Sequence, residues 1–146
     1  MAKAFSIEDG NLSNVSAISS RSTSYKDIDL TFQARPSGDV YKKTDAAAVK
    51  QAIKNLLLTG YYEKPFRPGF GGGLNDFLFD ITGEYDENDI QERIIDAIKN
   101  YEPRAICREV NVNIISEANK ADITVVFQVR STNETVAVDL SLTRLR

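Results

Sequence analysis

Two stretches of the chain place apolar residues at helical spacing. The first runs from about Asp45 to Leu58, and its predicted buried face consists of Ala46, Val49, Ile53, Leu56 and Leu57. The second runs from about Glu87 to Asn100, with a stripe formed by Ile90, Ile94, Ala97, Ile98 and Tyr101. Thr44 and Asp86 are the candidate N-caps, while Thr59-Gly60 and Pro103 predict the two ends. The pattern predicts two amphipathic helices, with a short third helix from Leu74 to Phe79 between them.

The last third of the chain alternates apolar and polar residues instead. The predicted inward positions are Ile106, Val110, Val112 and Ile114, then Ile123, Val125, Phe127 and Val129, and finally Val136, Val138, Leu140 and Leu142. Short breaks at 116–120 and 131–134 favour hairpins between these segments. A sheet with one apolar face needs a cover, which the helices supply. The predicted fold is α+β, with two main amphipathic helices packed on a C-terminal antiparallel three-stranded sheet.

The first part of the chain has a different character. Residues 1–24 are rich in serine and asparagine and predict a polar N-terminal arm, whereas residues 25–146 predict a single domain. We expect the arm to lie against a neighbouring chain; the alternative is that it folds back on its own domain. At 25–41, the alternation of Ile28, Leu30 and Phe32 suggests a short extended segment, closed by a turn at 36–39.

Composition narrows the function classes. The 146 residues contain no histidine and one cysteine, which excludes Ser–His or Cys–His catalysis and zinc sites built on histidine or several thiolates. We expect no metal and no cofactor, and we expect Cys107 to be a small buried hydrophobe and not a reactive thiol. A formal charge of −3 does not favour nucleic acid or an anionic membrane. No apolar run is long enough to span a bilayer, and the N-terminus lacks the apolar core of a signal peptide.

A glycine-rich loop, residues 69–73, precedes the short helix and raises the question of a phosphate site. It lacks the Gly-Lys-Ser/Thr ending of a nucleotide-binding loop. We favour a tight loop that carries Phe66 and Phe70 into a core or an interface. An acidic cluster that includes Glu84 and Asp86 is better explained by the start of the second helix than by a catalytic pair of carboxylates.

The turn Asn100-Tyr101-Glu102-Pro103-Arg104 is the most distinctive local feature. Pro103 stiffens the exit from the helix and sets a carboxylate and a guanidinium two residues apart. Such a pair can bond a neighbouring protein, or it can form an internal salt bridge between helix and sheet. The residues alone leave these two roles evenly balanced.

Two sequence blocks resemble a known family. Asn-Tyr-Glu-Pro-Arg at 100–104 resembles the Glu-Pro-Arg motif of the phage baseplate wedge protein family, which also includes the baseplate wedge component of type VI secretion systems. Pro-Phe-Arg-Pro-Gly-Phe-Gly at 65–71, followed by Leu74 and Leu78-Phe79, is similar to that family's Arg-Pro-Phe-x-Pro-x-Phe-Gly block. Lys64 stands where the family usually has arginine, and Gly69 where an acidic residue is common. The resemblance covers about residues 25–142.

The resemblance implies a structural, non-enzymatic role in a contractile tail baseplate, assembled in the host cytoplasm. It implies that Tyr101, Glu102, Pro103 and Arg104 engage a core bundle of larger wedge proteins, with Phe66 and Phe70 as further protein-binding residues. The last strand, with Val136, Val138, Leu140 and Leu142, would offer its edge to the first ring of tail sheath protein. Residues 1–24 would reach tube or hub proteins.

Two alternatives remain at this point. One is a peptidoglycan-degrading, lysozyme-like baseplate enzyme that uses Glu84 and Asp86 as its acid and base. The other is a small regulatory module of the same fold that occludes one protein partner. The resemblance favours docking by Glu102 and Arg104 over an internal brace.

Overall fold

The computed structural model describes residues 24–79, 86–115 and 120–143. Its strands are β1 (Lys26–Ile28), β2 (Lys42–Thr44), β3 (Ala105–Ile115), β4 (Lys120–Val129) and β5 (Thr135–Thr143). Its helices are α1 (Asp45–Leu58), α2 (Leu74–Phe79) and α3 (Glu87–Tyr101). The predicted α+β architecture is confirmed, since α1 and α3 share one hydrophobic core with the sheet β3-β4-β5. Apart from Ser24, the predicted arm lies outside the described residues, as does Glu84.

Helix α1 has the predicted bounds, but its ends are made differently from the prediction. Thr44 has the backbone conformation of an N-cap, yet its side chain makes no capping hydrogen bond. The carboxylate of Asp45 instead accepts the backbone N–H of Tyr25 at 3.0 Å. At the other end the C-cap is Thr59 in an extended conformation, whose backbone N–H donates to the carbonyl of Asn55. No left-handed glycine ends this helix.

The buried face of α1 differs from the predicted one at two positions, Ala46 and Ala48. Val49, Ile53, Leu56 and Leu57 are buried as predicted. Ala48 is also fully buried, whereas Ala46 is only half-buried and packs at the margin of the core. The apolar stripe of α1 is therefore wide enough near its N-terminus to include Ala48 as well as Val49.

Helix α3 follows the sequence pattern closely. Asp86 is its N-cap and forms a capping box with Asp89: the Asp86 carboxylate accepts the backbone N–H of Asp89, and the Asp89 carboxylate accepts that of Asp86. Ile90, Ile94, Ala97 and Ile98 are buried, and Tyr101 packs against the edge of the core. The helix ends at Tyr101, one residue later than predicted, because Glu102 is its C-cap and Pro103 follows.

The sheet is antiparallel with β4 in its centre. Alternate residues of β4 are buried from Ala121 to Val129, and Val138, Leu140 and Leu142 of β5 face the same core. Two of the predicted inward residues of β3 are not buried: Ile106 and Ile114 are 36% and 38% exposed, although Ile114 continues the alternation of Val110 and Val112. A β-bulge between Cys107 and Glu109 shifts the register, so that Ala105 and Cys107 face inward before it, and Val110 and Val112 after it.

The segment before α1 is extended over a shorter distance than its alternation predicts. Strands β1 and β2 pair antiparallel, but a turn follows Asp29, and Phe32 has a left-handed backbone with φ 51°. Ile28, Leu30 and Phe32 are all at least 47% exposed. The predicted turn at 36–39 is present, with Gly38 at φ 82° and a bridge from Ala34 to Val40. No helix among the described residues is long and apolar enough to cross a membrane.

Candidate protein-docking site

The corner at Glu102-Pro103-Arg104 joins helix α3 to strand β3. Glu102 still donates its backbone N–H to the carbonyl of Ile98, as in the last turn of a helix, but Pro103 prevents a further turn. The carbonyl of Glu102 then accepts the N–H of Ala105, and the carbonyl of Arg104 accepts the N–H of Arg130 beyond β4. These bonds hold the corner rigidly against the end of the sheet.

Glu102 and Arg104 bond each other. Arg104 Nε lies 2.6 Å from Glu102 Oε1 and Nη2 lies 2.7 Å from Oε2, which is the bidentate geometry of a strong ion pair. Hydrogen bonding to Glu102 raises the pKa of Arg104 above its ordinary value. Glu102 is the only buried charged residue among the described ones, at 5% exposure, whereas the Arg104 side chain is 28% exposed. In the isolated chain the two side chains therefore form an internal ion pair, and only that of Arg104 has substantial exposed surface.

Tyr25 is a component of this site that the sequence analysis missed. Its ring lies 5.6 Å from the guanidinium carbon of Arg104, in cation–π geometry. Tyr25 is fixed there by two backbone hydrogen bonds with Asp45: its N–H donates to the carboxylate, and its carbonyl accepts the Asp45 N–H at 2.7 Å. No local sequence pattern could reveal this contact, because Tyr25 and Arg104 are far apart in the chain.

The two sequence blocks singled out above meet at Tyr101. Its hydroxyl donates to the carbonyl of Gly69 at 2.6 Å, and its ring packs edge-on against Phe70, with centroids 5.2 Å apart. Lys64 Nζ lies over the Phe70 ring, 3.9 Å from its centre. Phe70 thus packs against the margin of the core, which is one of the two placements predicted for it, a core or an interface. Phe66 does not, because it is fully exposed.

The glycine-rich loop packs against the C-terminal end of α1. Gly72 donates its N–H to the carbonyl of Leu56 at 2.9 Å, and Gly73 to that of Thr59 at 3.3 Å. A Cβ on Gly71, which has φ 126°, would lie 2.4 Å from the Thr59 carbonyl oxygen. The loop N–H groups that would bind a phosphate therefore satisfy helix carbonyls, and the glycines allow that close approach.

A cleft of about 600 Å³ lies between this loop and helix α3. Arg93 is placed between two aromatic rings on its wall, 5.3 Å from the centre of Tyr61 and 4.6 Å from that of Phe77. Glu92 and Asp96 also line the cleft. The sequence analysis did not predict the cleft, because it depends on how the loop folds over the helix.

One edge of the sheet is β5, which pairs only with β4 among the described strands. Val129 donates its N–H to the carbonyl of Glu134, which shows that residues of β5 with even numbers point their backbone groups at β4. Because hydrogen-bonded and open positions alternate in antiparallel pairs, the residues from Thr135 to Thr143 with odd numbers direct their N–H and C=O groups to the open edge. The predicted contact residues Val138, Leu140 and Leu142 are buried, so a partner would meet the backbone of β5 and not these side chains.

Comparison with known proteins identifies the family. The family model of baseplate wedge protein gp25 matches residues 43–134, which is more than half of the chain. The chain belongs to the baseplate wedge protein gp25 family. The matched region contains helices α1 to α3, both sequence blocks, the Glu102–Arg104 corner and strands β3 and β4. Tyr25 and the edge strand β5 lie outside it.

This gp25 family member is also similar to individual proteins. Baseplate wedge protein gp25 of Enterobacteria phage T4 is 28% identical over 106 residues, which cover 73% of this chain and 77% of the T4 protein. A chain of the anti-feeding prophage baseplate has the same fold, with a TM-score of 0.58 and 21% identity over 84% of this chain and 88% of its own. A chain from Geobacter sulfurreducens, provisionally assigned as a tail lysozyme, also has this fold, with a TM-score of 0.58 and 24% identity over 67% of this chain and 89% of its own.

Proposed function

We propose that this protein is a structural component of the baseplate of a contractile injection machine, such as a phage tail. The observation that carries the proposal is the family match over residues 43–134, supported by the T4 relative, which is itself a baseplate wedge protein. On this proposal the protein acts in the virion tail baseplate after assembly in the host cytoplasm. It works through protein contacts and not as an enzyme.

The first proposed contact is made by the Glu102–Arg104 corner with a core bundle of larger wedge proteins. Two guanidinium nitrogens of Arg104 bond Glu102, and Nη1 makes no hydrogen bond within the described residues. That free edge suits a carboxylate or a backbone carbonyl of the partner. Glu102 is too deeply buried to make the contact itself, so its role is to hold Arg104 in one orientation.

The second proposed contact is strand addition at β5 by the first ring of tail sheath protein. The open backbone groups of alternate residues from Thr135 to Thr143 form a template for an added strand. Strand β5 is regular along its whole length, whereas the opposite edge strand β3 is interrupted by its bulge. A bulge locally disrupts a ladder, so β5 is the better edge for an added strand.

The experiment that tests this function uses purified tail particles. Mass spectrometry is expected to detect the protein in baseplates, and its absence would refute the structural role. Ala137→Pro then removes one open N–H of β5 without removing a bond to β4, because Ala137 is an open-edge position. We expect folded protein and assembled baseplates, but electron micrographs without attached sheath.

The matched control for Ala137→Pro is Ile114→Pro on the other edge of the sheet. The same alternation places the Ile114 N–H on the open side of β3, so this change also removes one unpaired donor. We expect normal sheath on Ile114→Pro particles. If Ala137→Pro particles carry normal sheath as well, strand addition at β5 is wrong, although the baseplate role stands.

No observation favours the hydrolase alternative. The carboxylate of Asp86 accepts the N–H of Glu87 at 2.7 Å and the side-chain amide of Asn88 at 2.9 Å, so it serves the start of helix α3. Its proposed partner, Glu84, lies outside the described residues. The likeness to the Geobacter sulfurreducens chain shows a shared fold and carries no catalytic residues to this one.

A further inference from the structure

The loop from Tyr61 to Phe70, which we name the aromatic loop, carries the two most exposed large apolar side chains of the described residues. Phe66 is 102% exposed and Tyr62 is 84% exposed. They lie four positions apart in the loop that adjoins helix α3 through Tyr101. A single exposed aromatic is common on protein surfaces, but two in one short loop form a localised apolar feature.

Both aromatic residues adopt a backbone conformation that is unfavourable for them. Tyr62 has φ 66° and Phe66 has φ 65°, in the left-handed region where glycine or asparagine is usual. Glycine is used three times at 71–73 in the same connection, yet these two positions carry bulky rings. Local strain of this kind persists only where the surroundings enforce it, and it is concentrated at binding sites.

The surroundings of the aromatic loop do enforce one conformation. Tyr62 donates its N–H to the carbonyl of Pro68 at 2.9 Å, which closes the loop across its middle. Glu63 accepts the N–H of Gly60 at 2.8 Å, and Tyr101 bonds the carbonyl of Gly69 at 2.6 Å. Phe66 and Tyr62 are therefore displayed from a preformed support, so little conformational entropy is lost when they bind.

The charges of the aromatic loop indicate what it binds. Glu63 is occupied by the Gly60 N–H, and Lys64 lies over the Phe70 ring. The guanidinium of Arg67 makes no hydrogen bond, ion pair or ring contact with the described residues, so it is the charge available beside Phe66. A complementary surface offers an apolar pocket for the ring and a carboxylate for Arg67.

We propose that Tyr62 and Phe66 are a preorganised anchor that inserts into an apolar, acid-bordered pocket of another baseplate protein. This inference rests on the proposed function, since it assigns the partner to the baseplate. A membrane is the competing target for exposed aromatic and basic residues. It fits less well, because the two rings stand in one short loop and do not form the apolar face of an amphipathic helix, the usual element that binds a membrane interface.

The first test compares hydroxyl-radical footprints of the isolated protein and of purified particles that contain it. We expect Tyr62 and Phe66 to be oxidised readily in the isolated protein and at least about tenfold more slowly in particles, as for side chains at the dry centre of an interface. If both rings remain as reactive in particles as in the isolated chain, the anchor is wrong while the baseplate role stands. If the protein is absent from particles, both proposals fail.

The second test separates an anchor from a merely structural ring. Phe66→Asn removes the ring and tolerates the left-handed backbone, whereas Phe66→Tyr keeps the ring. We expect Phe66→Asn to unfold at the wild-type temperature or up to about 3 °C higher, while its incorporation into particles, in competition with wild-type protein, falls about thirtyfold, as for an interface hot spot. Phe66→Tyr should incorporate normally.

Three outcomes would overturn the anchor. One is a lower unfolding temperature for Phe66→Asn, which would show that the ring stabilises the fold. Another is equal incorporation of Phe66→Asn and wild-type protein. The third is binding of the isolated protein to phosphatidylglycerol vesicles that is lost in Phe66→Asn, which would identify the target as a membrane.

Discussion

The Glu102–Arg104 ion pair permits a quantitative prediction about the free protein. A double-mutant cycle with Glu102→Gln and Arg104→Met measures how strongly the two side chains depend on each other. Glutamine keeps the shape of Glu102 and can still accept a hydrogen bond, while methionine keeps much of the apolar stem of Arg104. Each single variant therefore removes the ion pair with little change in packing.

The expected magnitudes follow from the burial of the two partners. Arg104→Met leaves a carboxylate whose side chain is only 7% exposed without its cation. Loss of one partner from a fully buried pair costs about 3–5 kcal/mol, and since the guanidinium side is 28% exposed we expect about 2–3 kcal/mol here. Glu102→Gln should cost about 1–2 kcal/mol, because the freed guanidinium still reaches water. The double variant should lose about 1–2 kcal/mol less than the sum.

Urea unfolding followed by circular dichroism measures all four free energies of unfolding. A suitable control is the Lys120–Asp122 pair, whose side chains are 35% and 40% exposed and whose coupling should stay below about 0.5 kcal/mol. A coupling energy for Glu102 and Arg104 as small as that of the control would refute the reasoning, since the two would then contribute independently.

Two further predictions concern the ends of the helices. Gly71→Ala should lower the free energy of unfolding by about 3 kcal/mol or more, since a Cβ would meet the Thr59 carbonyl oxygen at 2.4 Å. Gly38→Ala, with φ 82° and open space around it, should lower it by only about 1–2 kcal/mol. Equal losses of stability in thermal unfolding would contradict the clash at Gly71. Asp86→Ala should lower the free energy of unfolding by about 1 kcal/mol through loss of the α3 capping box. Thr44→Ala should leave it almost unchanged, because Thr44 makes no capping hydrogen bond. A larger loss of stability for Thr44→Ala than for Asp86→Ala in the same assay would disprove this.

The ion pair also distinguishes the two side chains in the proposed docking at the corner. The sequence pattern does not indicate which of Glu102 and Arg104 would contact a partner. The geometry distinguishes them, because Glu102 is buried and only Arg104 has exposed surface. An internal brace and a docking surface are therefore compatible, since the brace fixes the orientation in which Arg104 is displayed.

Most of the secondary structure could be predicted from local sequence patterns. The bounds of α1 and α2 match the predicted ones, and α3 differs by one residue. The alternation of β4 and β5 also gave the correct buried face. These features are local, because an amphipathic period, a cap and a proline are set by residues within a few positions of each other. The same local blocks carried the family resemblance.

Contacts between distant segments were decided only by the tertiary structure. No sequence pattern indicates that Tyr25 lies against Arg104, that Tyr101 bonds the loop at Gly69, or that a bulge turns Ile106 outward. The sequence also could not separate the role of Phe70, packed on Tyr101, from that of Phe66, which is exposed. The physical reason is that periodicity records which face of an element is apolar, whereas the partner of each side chain depends on how the elements pack.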